Sequence, residues 1–227
     1  MKLQAIIWMI IMSFCVFAFT TPSKKVLIIG DSISLGYFPY VKKMLEGEVD
    51  VVHNPGNAQH TGTGLRMIDE WLGDSSYDVI VFNWGLWDLC YRHPESTSVG
   101  QRDKINGTIA FTVDQYKTNI EQLVKRLKMT GAKLVFATTT FVPPGEAGRF
   151  EGDELIYNEA AVAIMHANGV EVLDLHEHSI TIYQSYKMGE GDVHYTAEGY
   201  KELAKPVVSM IRKMIGFDEM AERKVPQ

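Results

Sequence analysis

The amino-acid sequence predicts an α/β domain whose five-stranded parallel sheet is covered by helices on both faces. Three observations carry this expectation. Five short apolar runs recur between residues 24 and 216. Stretches with helical spacing lie between them. Each run ends in polar or glycine-rich residues: Gly30-Asp31-Ser32, Asn54-Pro55-Gly56, Asn83-Trp84-Gly85, Thr138-Thr139-Thr140 and Asp174. Unbroken apolar runs suit strands buried on both faces, and strict alternation with helices suits parallel connections. In such sheets a ligand site lies at the strands' carboxyl ends.

The elements follow in order. Lys25–Ile29 reads as a first, buried strand, and Tyr37–Leu45 has helical spacing. Val49–His53 is a second strand. Leu65, Ile68, Trp71 and Leu72 recur at helical intervals, which places Trp71 in the core. Val79–Asn83 is a third strand. Tyr91–Ala110 is a long, mostly polar stretch with no clear period, read as either a loop at the site's entrance or a plain surface excursion. Thr112 with Gln115 three residues on resembles a capping box and opens a helix to Met129, closed by Gly131. Leu134–Ala137 is a fourth strand. A helix over Glu154–Asn168 is closed by Gly169, and Val170–Leu175 is a fifth strand. Thr196 begins a last helix to Met214, with a kink expected at Pro206.

Composition narrows the functional classes. Hydrophobic residues make up 46% and charged residues 22%, which excludes a disordered chain, a collagen-like fibre and a polytopic membrane protein. The net charge is −6, whereas a phosphate-backbone binder needs a basic face, so nucleic acid is not an expected partner. Cys15 and Cys90 are the only cysteines, so there is no disulfide framework. Residues 1–20 read as a signal peptide: Met1-Lys2 is a positive start, and Ala5–Phe19 is apolar apart from Ser13 and Cys15. The run falls short of the ~20 residues of a full span. Cleavage after Ala18 or Thr20 is expected, giving an exported protein without stable membrane association. A retained anchor is the alternative, and lipidation at Cys15 is disfavoured by the bulky Phe14. Residues 217–227 form a charged tail that is expected to fray. Residues 24–216 form the expected single domain.

Two motifs suggest the chemistry. Gly30-Asp31-Ser32-Ile33-Ser34 puts a serine where a strand gives way to a helix, where backbone N–H groups converge and developing negative charge is favoured. Gly191-Asp192-Val193-His194 puts a histidine just ahead of the last helix, with an acid beside it. A histidine whose tautomer is held by an acid is the base that a serine nucleophile needs.

Together the motifs resemble the SGNH, or GDSL, hydrolase family. Gly30-Asp31-Ser32-Ile33-Ser34 matches its first block, and Gly56 after Asn54 its second. Gly85-Leu86-Trp87-Asp88 occupies its third, and Asp192…His194-Tyr195-Thr196…Gly199 its last. The resemblance implies a three-layer α/β/α sandwich, flavodoxin-like, with Ser32 as nucleophile and His194 as base. It implies that the Ser32 and Gly56 N–H groups form part of an oxyanion hole. It also implies ester cleavage, often of acyl groups on sugars and lipids, with no metal and no cofactor.

Two positions depart from the family pattern. The third block is usually Gly-x-Asn-Asp, whose asparagine is the third oxyanion donor. Trp87 stands there, which identifies a subgroup with Gly-Leu-Trp-Asp. The Trp87 indole, Asn83 and Asn57 are the alternative donors. The acid usually lies three residues before the histidine, where this chain has Gly191. Asp192 is the favoured partner, with Glu190 or a backbone carbonyl as alternatives.

The expected function is an exported serine esterase that removes acyl groups, acetyl foremost, from a small-molecule or polysaccharide ester. Asp31, Trp84 and Trp87 are the expected substrate-binding residues. A lipid-directed esterase or thioesterase is the first rival. A non-catalytic glycan-binding protein on the same fold is the second, kept because of Trp87. His176-Glu177-His178 reads as a solvated pair of histidines rather than a metal site, and Asp88 as a structural hydrogen-bonding residue.

Overall fold

The computed structural model describes residues 24–216. The expected leader (1–20) and tail (217–227) lie outside the described residues. Strand β1 (Lys24–Ile29) leads directly into helix α1 (Ser32–Met44), and β2 (Val49–His53) is followed by α2 (Thr61–Leu72). β3 (Val79–Phe82) precedes a two-stranded hairpin, β4 (Tyr91–Arg92) with β5 (Thr108–Ile109). Then come α3 (Val113–Lys128), β6 (Lys133–Ala137), α4 (Asp153–Asn168), β7 (Glu171–Leu173), α5 (Leu175–Tyr186) and α6 (Ala197–Ile215).

The main sheet is parallel, in the order β2-β1-β3-β6-β7. Its register aligns Ile28 with Val81, Val81 with Val135, and Val135 with Glu171. This is the flavodoxin-like order: the chain steps outward to β2, then crosses back past β1 and runs the other way. The switch point lies between β1 and β3, where such sheets open a crevice at their carboxyl edge. Helices α1, α5 and α6 pack together as one layer, and α2, α3 and α4 as the other. The expected three-layer sandwich is therefore the observed one.

The apolar runs behave as their patterning requires. Val26, Leu27, Ile28 and Ile29 are all buried, as are Val79 to Phe82 and Leu134 to Ala137. Trp71 and Cys90 are core residues. The Thr112–Gln115 capping box is present in both directions at the start of α3.

Three expectations need correction. Helix α1 begins at Ser32 rather than Tyr37, because Asp31 caps it: its Oδ1 accepts the Ile33 N–H at 2.9 Å. The fifth strand stops at Leu173, and Leu175 already belongs to α5. Asp174 caps that helix by accepting the Glu177 N–H at 3.0 Å, and Leu175, Ser179, Ile182 and Tyr183 form its buried stripe. The polar stretch after Cys90 holds the hairpin, pairing Tyr91 with Ile109 and Arg92 with Thr108. Helix α6 runs through Pro206 to Ile215, one residue past its expected end. Among the described residues no helix is long and apolar enough to cross a membrane.

Candidate active site

Ser32 is the first residue of α1, directly beyond the carboxyl end of β1. N–H groups in a helix's first turn lack an intrahelical acceptor, so they are available to an anion. The Ser32 Oγ lies 2.9 Å from the His194 Nε2. His194 Nδ1 lies 2.7 Å from the Asp192 Oδ1, and the same oxygen accepts the His194 backbone N–H at 3.0 Å. A carboxylate only accepts, so Nδ1 carries the proton and Nε2 offers its lone pair to the serine hydroxyl. Burial works against ionisation of Asp192, but the His194 backbone and imidazole, with the Arg102 charge, outweigh it. The carboxyl is held below the ordinary aspartate range.

The loop carrying this pair is tied at several points. Met188 N–H donates to the His194 carbonyl and Thr196 N–H to the Tyr186 carbonyl. The Tyr183 hydroxyl donates to the Asp192 carbonyl at 2.9 Å. Gly191 has φ +68, and a Cβ there would lie 2.7 Å from the Gly145 carbonyl oxygen. Only glycine satisfies both demands. Helix α5, which sequence pattern did not reveal, supplies Tyr183 and Tyr186 and so anchors the loop.

Ser32, His194 and Asp192 line one cavity of about 320 Å³, together with Asn57, Trp87 and three arginines, Arg92, Arg102 and Arg149. Arg149 is buried; its Nε donates to the Leu86 carbonyl at 2.6 Å, and its Nη1 lies 3.0 Å from the Glu146 Oε1. Arg102 reaches the same oxygen at 2.6 Å. The Arg92 guanidinium carbon lies 4.5 Å from the centre of the Trp87 ring. The polar stretch containing Arg92 thus does border the site. Arg102 and Arg149 carry no local sequence signal; for Arg149 the one clue was its position beyond the carboxyl end of a predicted strand.

Other predicted site residues fall elsewhere. Trp84 is fully buried, its ring 6.1 Å from that of Phe82, and its carbonyl accepts the Tyr116 hydroxyl at 2.9 Å. It is a core residue and cannot touch substrate. Asn83 donates through Nδ2 to the Ala137 carbonyl at 2.8 Å, bridging two strands, and does not line the cavity. Gly56 sits exposed at a left-handed turn, φ +69, and does not line the cavity either. Asn57 lines it instead: its Oδ1 accepts the Gln59 N–H at 2.8 Å, and its Nδ2 has no partner among the described residues. Asp31 borders the cavity but is 1% exposed and serves as the α1 cap. Burial raises its carboxyl, against the Ile33 N–H and the Arg149 charge. His176 is buried against Glu154, 3.2 Å away, and is not solvated. Glu190 lies beside Lys187 on the surface. Among the described residues no cluster of histidine, cysteine and carboxylate side chains is arranged to hold a metal ion.

Asp88 is fully buried and holds the start of α2. Its carboxylate accepts the Thr61 N–H at 3.0 Å and the Thr61 hydroxyl at 2.5 Å, and Asn119 donates to that hydroxyl. Burial, only partly offset by the bonds from Thr61, pushes its carboxyl up to about 7.

A hydrogen-bonded serine, histidine and aspartate at the carboxyl edge of a parallel sheet, on a flavodoxin-like scaffold, are the arrangement of an ester hydrolase. Residues 28–202 match the model of the GDSL-like lipase/acylhydrolase family. The chain belongs to that family, whose members are carboxylic ester hydrolases. It is 24% identical over 152 residues to an arylesterase of Vibrio mimicus, across 62% of this chain and 66% of that protein. The lipase/acylhydrolase of Enterococcus faecalis superposes with a TM-score of 0.68 at 18% identity, covering 84% of this chain and 96% of that one. An acetylxylan esterase of Geobacillus stearothermophilus superposes at 0.65 and 15% identity, covering 85% and 94%.

Two outcomes follow for the scaffold. Trp84→Ala costs about 3–5 kcal/mol in urea unfolding, whereas the milder Trp84→Phe leaves KM for 4-nitrophenyl acetate within about twofold. For Asp88, a folded-state carboxyl raised above its unfolded value of about 4 makes the folded protein bind the proton more tightly. That contribution is lost as pH rises from about 4 to 7. The stability of Asp88→Asn relative to wild type therefore increases across this window, read from urea midpoints at pH 4.5 and 7.5.

Proposed function

We propose that this protein is an exported serine esterase that removes short acyl groups, acetyl foremost, from a carbohydrate. The observation that carries the reading is the unbroken contact chain from Asp192 through His194 to Ser32 at the cavity wall. His194 takes the Ser32 proton as Oγ attacks the ester carbonyl, and Asp192 stabilises the imidazolium that forms. The tetrahedral oxyanion is held by the Ser32 N–H at the start of α1 and by a side-chain donor. His194 returns its proton to the departing alkoxide. Water then attacks the acyl-enzyme, with His194 again as base.

Asn57 is the favoured side-chain donor. Its Oδ1 is committed to Gln59, and its Nδ2 is unpaired on a residue that lines the cavity. The Trp87 ring lies against Arg92 and lines the cavity, where an indole suits stacking on a sugar. The charged and polar residues among those lining the cavity, Arg92, Arg102, Arg149 and Asn57, support a short acyl group over a long chain. The acetyl and carbohydrate choices draw further support from the acetylxylan esterases among the structural neighbours. Export is supported by the apolar segment that follows Lys2.

The test is hydrolysis of 4-nitrophenyl acetate, butyrate, hexanoate and octanoate. Activity falls with chain length, and Ser32→Ala reduces it to background. Asp192→Asn lowers kcat by about 10²–10⁴. Rates that climb toward the octanoate point instead to a lipid-directed enzyme, and a Ser32→Ala protein as active as wild type sinks the mechanism. Removing the proposed oxyanion donor, Asn57→Ala, lowers kcat by about 10²–10³ with little change in KM; Trp87→Phe, which keeps a ring but no N–H, costs less than tenfold.

A further inference from the structure

The cavity beside Ser32 is lined by three arginines in a chain whose net charge is −6. They come from separate parts of the sequence. Arg92 lies on β4, Arg102 follows a single helical turn, and Arg149 lies in the loop before α4. An antiparallel bridge joins the Arg92 and Arg102 backbones, so the two side chains start from neighbouring positions, and both line the cavity. Holding like charges together is unfavourable unless something of opposite sign offsets it.

The carboxylates at hand do not match the arginines. One buried carboxylate, Glu146, serves both Arg102 and Arg149. Asp192 is engaged by His194, and Asp31 is the buried cap of α1. Arg92 forms no ion pair with any carboxylate among the described residues. Its contacts are the Gly100 carbonyl, through Nη1, and the face of Trp87. A guanidinium carries five N–H donors, so most of those on Arg92 remain available at the cavity wall. Arg102 is tied through Nε to the Val99 carbonyl and through Nη1 to Glu146. A guanidinium stacked on an aromatic ring, with a second arginine lining the same cavity, is preorganised for a planar or tetrahedral anion.

Resting on the esterase reading above, we propose that the substrate's alcohol portion is anionic: an acylated sugar bearing a carboxylate or a sulfate, bound by Arg92 with Arg102 beside it. Arg92 and Arg102 then set specificity, selecting the carrier while Ser32 and His194 act on its ester. The reaction itself is unchanged: water cleaves the ester, the acyl group leaves as a carboxylic acid, and the charged sugar is released with a free hydroxyl.

The experiment compares kcat/KM for three acetyl esters: acetylated glucose, acetylated glucuronic acid and acetylated glucose 6-sulfate. Wild type is expected to prefer at least one anionic ester over acetylated glucose by tenfold or more. Which of the two it prefers identifies the anion. Arg92→Gln is expected to cut the preference about tenfold, and Arg92→Lys to keep part of it. Raising NaCl from 20 to 500 mM is expected to shrink the wild-type preference, since screening weakens such attraction; this arm stands even if the glutamine variant fails to fold. Equal turnover of neutral and anionic acetates, or a preference that neither salt nor Arg92→Gln alters, overturns the proposal while leaving the esterase intact. Failure on all three sugars and on 4-nitrophenyl acetate, with Ser32→Ala no different, overturns the esterase reading itself.

Discussion

Burial of one parallel sheet on both faces is the constraint from which the rest of this structure follows. The central stretches of strands covered on two sides are apolar, as in Val26–Ile29, Val79–Phe82 and Leu134–Ala137, so polar chemistry is pushed towards the strand ends. All five strands point the same way, and their polar ends therefore gather along one edge. The helix starts gather there too, with unpaired N–H groups aimed outward. Ser32 occupies the edge at the switch point, and the loop before α6 brings His194 and Asp192 to it. The cavity is what remains between those loops.

Two buried carboxylates keep the edge in shape. Asp88 clasps Thr61 and so fixes where α2 begins. Glu146 clasps two arginines and also accepts the Gly148 N–H at 2.7 Å, which folds the loop before α4 against the cavity. Neither touches the serine. Both convert a flexible strand-to-helix connection into a wall with a defined position, and a site that depends on placement within fractions of an ångström needs such walls.

The legible parts of the sequence were those whose physics is local. Apolar runs such as Val26–Ile29 announce buried strands because burial on two faces leaves one composition. The neighbourhood of Ser32 and of His194 was readable because a strand-to-helix junction and a short acid–histidine spacing are both local patterns. Helix α5 was not readable: a short helix with a serine, two histidines and an aspartate near its start has little apolar contrast, and the β-branched residues before it extended the strand reading too far. Trp84 and Trp87, three residues apart, look alike in sequence, yet one is packed behind the strands and the other faces the cavity. Arg102 and Arg149 could not be found because what brings them together is a shared buried glutamate, and that partnership spans dozens of residues. Gly56 drew attention as the second family block; it sits at a left-handed turn, and the asparagine after it lines the cavity.

The proposed acid and base lie two residues apart, and one Asp192 oxygen grips both the backbone and the ring of His194. In many serine hydrolases the acid and base belong to distant segments, whose alignment is a matter of tertiary structure. Here the pair is a self-contained cassette, already aligned within one short loop. Assembly of the relay is thereby reduced to a single joint, the gap between His194 and Ser32. Whatever shifts the loop as a body alters the distance to the serine and leaves the histidine's tautomer untouched, so, on the proposed roles, contact with the serine and readiness of the histidine are separable properties of this fold.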